Sequence, residues 1–409
     1  MDFNDTPEEA TFRAEVRHFL EAHATRKNAG EPAQKVRYLE GTEALEKAKA
    51  WQAVKADAGF VGITWDPRWG GRGGTPIQQV IYDQEEAHFD LPKGYFEIGL
   101  GMCIPTLTAY AAPEQCERFV RPAMRGDEIW CQLFSEPSAG SDVAGLRTRA
   151  ERDGSDWVIN GQKIWTSGAH FSDYGLLLTR TDPAVPKHAG LTAFFLDMRS
   201  PGVEVRRIKQ IAGSAQFNEV FFTNVRIPDA QRLGAVGAGW QVALTTLMNE
   251  RLAVGSAPGP DSEDMLRLVR QATIDGEPAI QNAAVRAKLA DWYVQTEGLR
   301  YTRFRTMTKL SRGQAPGPEA SIAKIVSATK LQEIASFGID LLGMAGTVTD
   351  PRLAPMEAWF QHAALYAPGF RIAGGTDEIL RNIVAERVLG LPPDVRVDKG
   401  IAFNELPRS

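Results

Sequence analysis

Thr6, Pro7, Glu8 and Glu9 form a helix-start pattern: a capping hydroxyl, a proline at the first helical position and acids in the first turn. Phe12, Val16, Phe19 and Leu20 then recur at helical spacing. Similar reasoning predicts helices over 43–58, around 76–88, and over 105–111 and 113–124. At Ile129 the period changes. Short β-branched and aromatic runs follow at 130–135, 148–152, 157–159, 174–180, 191–197, 203–208, 218–225 and 231–233. Asp153-Gly154, Asn160-Gly161, Pro201-Gly202 and Asn224 read as the turns between them. Many short strands without intervening helices predict a small antiparallel barrel or sandwich. Helical periodicity resumes over 240–254, 282–310, 319–342 and 377–389, with 259–278 as a polar linker. The expectation is an α+β multi-domain chain: helical domain 1–127, β domain 128–237 and a C-terminal helical bundle 238–409.

Composition agrees with a packed globular protein: 43% hydrophobic and 24% charged residues over 409 positions, enough for two or three cores. A net charge of -5 from well-mixed signs argues against a nucleic-acid partner. Cys103, Cys116 and Cys131 are too few and too scattered for a disulfide framework, which favours a reduced, cytoplasmic setting. The acidic start lacks the apolar core of a secretion signal, and no run of 18 apolar residues suggests a membrane span.

Gly70-Gly71-Arg72-Gly73-Gly74 lacks the spacing and the strand–helix frame of a dinucleotide loop and reads as a structural turn. Ser321-Ile322-Ala323-Lys324 matches S-x-x-K without companion motifs, so Lys324 reads as a helix surface or interface residue. The six histidines show no metal-ligand spacing, and no G-x-S-x-G elbow is present. The stretch 131–168 is different. It holds two small-residue turns, Ser135-Glu136-Pro137-Ser138-Ala139-Gly140-Ser141 and Trp165-Thr166-Ser167-Gly168, joined by a hairpin-like run ending at Ile159-Asn160-Gly161. Hydroxyls and free backbone amides beside a wide indole suit a large, flat cofactor with polar edges.

The strings SEPSAGSD and NGQKIWTSGAH resemble the acyl-CoA dehydrogenase family of flavoproteins. Gly239-Trp240, Asn249-Glu250-Arg251, Leu342-Gly343-Met344-Ala345-Gly346 and Gly375-Thr376-Asp377-Glu378 extend the likeness in the family's order over essentially the whole chain. The resemblance implies the acyl-CoA dehydrogenase fold, with its four-helix-bundle-like C-terminal domain, and FAD lying against the β domain. It places Gln132, Phe134, Ser135, Gly140, Ser141, Trp165, Thr166 and Ser167 along the flavin. It adds Asp340, Leu341, Gly343, Met344, Gly375, Thr376, Asp377 and Glu378 as further cofactor contacts, and Ser141 and Arg251 as acyl-CoA contacts. The implied reaction is α,β-dehydrogenation of an acyl-CoA thioester: a carboxylate takes the α proton and the β hydrogen leaves as hydride to flavin N5. A backbone N–H and a ribityl hydroxyl stabilise the thioester oxygen.

Many members carry a Glu just before the C-terminal Gly-Thr; here that position is Gly374. Isovaleryl- and long-chain-type members place the base on the helix after the β domain, immediately before an Arg, and Glu250-Arg251 fits. Gly374 then contributes only its backbone N–H. No match to the family's Arg-x-x-Phe segment occurs in the polar excursion 260–279, which opens FAD stoichiometry and homotetramer versus heterotetramer. Electron-transfer flavoprotein is the implied acceptor, and fatty, branched or steroid side-chain acyl groups are the implied substrates. The alternatives are a subunit of a heteromeric enzyme, or a non-dehydrogenase flavoprotein of the same fold.

Overall fold

A computed structural model of the chain describes residues 5–27, 41–92, 94–253, 259–312, 314 and 317–407; the side chains of 250–253, 310 and 311 lie outside the description. In chain order the elements are α1 (Pro7–His23), β1 (Thr25–Arg26), α2 (Thr42–Asp57), α3 (Pro76–Glu86), β2 (Phe89–Asp90), α4 (Ile104–Tyr110) and α5 (Pro113–Arg125). Then come β3 (Trp130–Leu133), β4 (Arg149–Asp153), β5 (Asp156–Ser167), β6 (Tyr174–Arg180), β7 (Leu191–Asp197), β8 (Val203–Ile208), β9 (Phe217–Pro228) and β10 (Arg232–Leu233). The remainder is α6 (Gly239–Ala253), α7 (Ser262–Gln271), β11 (Thr273–Ile274), β12 (Glu277–Pro278), α8 (Ala283–Ser311), α9 (Ser321–Leu342), α10 (Trp359–Phe370) and α11 (Asp377–Arg387).

These elements form two compact units. One takes in the described residues of 1–37, 76–90 and 254–393, the other those of 38–75, 91–253 and 394–409.

The first unit is helical. Thr6 caps α1, as its sequence predicts, and Glu9 returns the bond to complete a capping box. Phe12, Val16, Phe19 and Leu20 form the buried stripe of α1, and Arg13 and Arg17 both donate to the buried Glu85 of α3. Met265, Leu268, Val269, Trp292, Ile334 and Phe360 make one core among α7 to α10.

Two stretches of this unit depart from the sequence reading, one expected to be irregular and one left without an expectation. The stretch expected to be a polar linker contains α7 and the β11–β12 ribbon. Asp261 caps α7 through the amides of Glu263 and Asp264, and Met265, Leu268 and Val269 supply a short buried stripe among the charges. Helix α10, passed over in sequence, buries Trp359, Phe360, Gln361, Ala363 and Ala367. Apolar on several sides and carrying Pro368, it shows no amphipathic period to read.

The second unit is built on one eight-stranded sheet, ordered β10-β7-β6-β4-β5-β9-β8, with β3 also on β6. The expected antiparallel arrangement is corrected to a mixed one. Between β3 and β6 the chain inserts the β4–β5 pair, so β3 runs parallel to β6, Trp130 opposite Tyr174 through Leu133 opposite Leu177. The expected turn at Asn160-Gly161 lies inside the twelve-residue β5. It forms an irregularity in the β5–β9 register, where the amide of Asn224 donates to Asn160 Oδ1 at 2.9 Å and Asn224 adopts φ 52°.

Strands β6 and β7 are apolar on both faces: Leu176, Leu178, Ala193 and Phe195 join one core with Leu107 and Val242. Leu177, Phe194 and Leu196 join another with Ile159, Val220 and Phe222. Helices α4 and α6 lie on the first face, tied by the buried hydroxyls of Thr106 and Thr246 at 3.0 Å. No helix among the described residues is long and apolar enough to cross a membrane.

Candidate active site

The two small-residue turns do come together. The amide of Ile164 on β5 donates to the Ser135 carbonyl at 2.9 Å, and Glu136 and Ala139 exchange two backbone bonds of 3.0 Å in a tight turn. Beneath it Lys163, fully buried, donates to Glu136 Oε1 at 2.8 Å and to the Phe134 carbonyl at 3.0 Å. Glu136 also accepts from the amides of Arg147 at 2.6 Å and Thr148 at 2.9 Å. Burial pushes the Glu136 carboxyl up, but Lys163 and the Thr148 and Arg147 donors outweigh it and hold it below the usual carboxylate range. Burial pushes the Lys163 ammonium down, against the pull of Glu136.

On this scaffold Gln132 is half-buried on β3, and the Phe134 ring is buried in the core. Gly140 and Ser141 are exposed, and a Cβ built at Gly140 meets nothing within 4 Å. Trp165 sits near the end of β5 with φ 60°, a strained value for so bulky a residue. Its indole is 56% exposed, with its plane nearly perpendicular to the Phe217 ring at 6.0 Å between centroids. Thr166 is buried with its hydroxyl unpartnered, while its carbonyl accepts from Asn218 Nδ2 at 2.8 Å. Ser167 closes the strand, half-buried. Helix α6 of the same unit carries Glu250 and Arg251 in its last turn; their side chains fall outside the described residues.

The helical unit holds the other residues. Asp340 and Leu341 end α9; Gly343 follows with φ 55°, and Met344 is exposed. Gly374 and Gly375 adopt φ 66° and 93°, a left-handed pair open to glycine. Thr376 caps α11, accepting from the amide of Ile379 at 3.2 Å. Asp377 is buried and accepts from Arg371 Nε at 2.7 Å, whereas Glu378 is exposed. Lys324 Nζ donates to the Gly375 carbonyl at 2.6 Å and lies 3.8 Å from Asp377 Oδ1. The lysine expected at a helix surface or interface thus takes the second place and holds the glycine turn.

Sequence reasoning missed Glu136, Lys163, Lys324 and Arg371 as supports of these turns. One signal was present: Trp157, Ile159 and Lys163 occupy buried positions of β5, and a lysine in that row needs a buried partner.

The residues fit a flat, polar-edged cofactor. The two joined turns offer an exposed indole at Trp165 and open space at Gly140, and Thr166 keeps a buried hydroxyl without a partner. In the helical unit a capped helix start follows a glycine pair, an arrangement suited to phosphate.

The acyl-CoA dehydrogenase N-terminal, middle and C-terminal domain models match residues 6–127, 131–225 and 237–389. The chain is 35% identical to the acyl-CoA dehydrogenase IpdE1 of Mycobacterium tuberculosis, covering 94% of this chain and 98% of that one. It is 38% identical over 343 residues to FadE34 of the same organism, covering 83% of this chain and 46% of FadE34, so it spans about half the length of that relative. The solved structure titled Tcur3481-Tcur3483 steroid ACAD superposes with a TM-score of 0.77 at 26% identity, covering 96% of this chain and 100% of that one. With its helical and mixed-sheet units, its paired motif turns and these likenesses, the chain belongs to the acyl-CoA dehydrogenase family, whose members are oxidoreductases.

Proposed function

We propose that this chain is a FAD-dependent acyl-CoA dehydrogenase in which Glu250 removes the α proton of the thioester. The observation that carries the reading is the buried Lys163–Glu136 pair, which fastens the SEPSAGSD turn to the strand bearing Trp165. Gln132, Phe134, Ser135, Gly140, Ser141, Trp165, Thr166 and Ser167 would hold the flavin, with Asp340, Leu341, Gly343, Met344, Gly375, Thr376, Asp377 and Glu378 as its further contacts. When bound, FAD supplies the acceptor for the β hydride.

The Gly374 amide donates to the thioester oxygen, where charge builds as the α proton leaves. Ser141 and Arg251 orient the acyl-CoA, the latter through its phosphates. Glycine at 374 removes bulk where many relatives carry a carboxylate, which favours branched or steroid side-chain acyl groups. The proposal includes the domain boundaries 1–127, 128–237 and 238–409, a homotetramer, electron-transfer flavoprotein as acceptor and a cytoplasmic setting.

Anaerobic mixing of the purified protein with a panel of acyl-CoAs, followed by flavin absorbance, tests the reading. The wild type bleaches with at least one of them. Glu250→Gln keeps its flavin and bleaches roughly 10²–10⁴-fold more slowly, the usual cost of losing a general base. Near-wild-type bleaching in that variant would remove Glu250 from the role, and absence of flavin uptake would remove the reading.

A second reading, a subunit of a heteromeric enzyme, is favoured by the paired name Tcur3481-Tcur3483 of the structural relative. One FAD per chain in a homotetramer by gel filtration contradicts it.

A further inference from the structure

Beyond α11 the chain returns to the β unit: residues 394–407 cluster with 91–253, not with the helices that precede them. Ala402 bridges Pro186 in antiparallel fashion, and the amides of Phe403 and Asn404 donate to the carbonyls of Val185 and Pro183 at 2.9 Å each. Phe403 is buried. The Arg180 guanidinium lies 3.5 Å from its ring centroid and that of Arg147 5.3 Å. Asp398 pairs with Lys187.

Arg180 and Lys187 also reach the turn that follows Ser141. Arg180 is buried and donates through Nε to the Leu146 carbonyl at 3.0 Å and through Nη2 to that of Ala144 at 2.6 Å. Its Nη1 donates to the Lys187 carbonyl at 3.1 Å, joining the two cations. Lys187 Nζ lies 2.8 Å from Asp142 Oδ2. The turn closes with Gly145 and Leu146 donating to the carbonyls of Asp142 and Val143. It ends where the Arg147 and Thr148 amides meet Glu136. Each cation therefore grips the C-terminal segment on one side and the Ser141 turn on the other.

We propose that the C-terminal segment is a clasp that fixes the turn from Asp142 to Leu146, with Arg180 and Lys187 as positioning residues and Phe403 and Asp398 as their anchors. The clasp itself stands on the contacts above; its consequence for flavin and thioester binding rests on the reading of the preceding subsection. A loosened turn moves Ser141 and frees the far side of the Glu136 bonds. The effect is on how well cofactor and substrate are held more than on the chemical step.

Two single variants of the full chain test this. Phe403→Leu keeps apolar volume and removes the aromatic face from Arg180, and Asp398→Asn removes one charge from a half-buried surface. Hydrogen exchange at the amides of Gly145, Leu146, Arg147 and Thr148 is expected to quicken in both, while the β6–β7 amides keep their protection. Asp398→Glu is expected to restore the wild-type exchange pattern. Apoprotein titrated with FAD should bind roughly tenfold more weakly in Phe403→Leu, about 1.4 kcal/mol, because binding must then order the loosened turn, with KM for acyl-CoA raised and kcat nearly kept.

Unchanged exchange at those four amides in both variants overturns the clasp. Quickened exchange with wild-type FAD affinity and KM overturns its role in positioning. A wild-type chain that takes up no FAD sinks the flavin assignment, and the exchange comparison then decides the clasp alone. Should Phe403→Leu fail to fold, Asp398→Asn carries the test.

Discussion

Lys163 and Glu136, 27 residues apart in sequence, meet at 2.8 Å, the lysine wholly buried and the carboxylate nearly so. The pair joins the two motif turns from beneath and leaves Gly140, Ser141 and Trp165 exposed. Removing one partner strands a charge in an apolar interior. Lys163→Met is therefore expected to lower unfolding free energy by about 3–5 kcal/mol, the usual cost of breaking such a pair. Adding Glu136→Gln should recover part of that loss, because the stranded charge is gone. Denaturant midpoints of the two variants and wild type decide it; a Lys163→Met midpoint equal to wild type contradicts the argument.

Glu136 also makes acid stability predictable. Its folded carboxyl is held below the usual range, since Lys163 and the Thr148 and Arg147 donors outweigh the upward push of burial. A depressed folded value means that the stabilising contribution is fully present above the unfolded value of about 4.3 and is lost as pH falls through the folded one. Urea unfolding at pH 6, 5 and 4 should show wild type weakening faster than Glu136→Gln. Parallel pH dependences would remove Glu136 from the acid response.

Much of the helical layout was legible because caps and stripes are local: Thr6 and Glu9 announce α1, and the apolar period over 377–389 announces α11. The sheet was harder. Asn160-Gly161 has the composition of a two-residue hairpin, yet the chain runs through it, because β9 supplies a matching irregularity at Asn224. Ser135, Ser141 and Trp165 stood out through their motifs. Their supports did not: Lys163 finds Glu136, Lys187 finds Asp398 and Lys324 finds Gly375 only after the chain folds, and no local period encodes such pairings.

Gly161 shows how tightly that irregularity is built. Its φ is 154°, and a Cβ would stand 2.4 Å from Thr148 Oγ1 and 2.6 Å from Thr148 Cα. The hydroxyl can turn away; the backbone carbon cannot. Gly161→Ala is expected to cost about 1–3 kcal/mol through overpacking against β4. Gly154→Ala, in the β4–β5 turn, meets nothing within 4 Å and bears only the strain of its φ of 63°. Thermal unfolding of the two should rank Gly161→Ala lower, and the reverse order would show that β4 and β5 can part at Thr148.

The glycine turn before α11 is held from both sides. Arg371 accepts the Asp377 amide at its carbonyl and grips the Asp377 carboxylate with its guanidinium. Lys324 reaches across from α9 to the Gly375 carbonyl at 2.6 Å. None of these bonds touches Gly374 itself; they hold the Gly375–Thr376 and Thr376–Asp377 peptides just after it. Lys324→Met keeps the aliphatic stem and deletes a charged hydrogen bond, which is expected to cost about 1.5–3 kcal/mol. If the Gly374 amide polarises the thioester oxygen, turnover should fall more than flavin content, because the amide remains but is no longer aimed. Lys324→Arg, with a donor of similar reach, should restore part of both. Matched unfolding midpoints for Lys324→Met and wild type would show that the turn stands without the lysine. Lowered stability with unchanged kcat would show that the aim of the Gly374 amide does not depend on it.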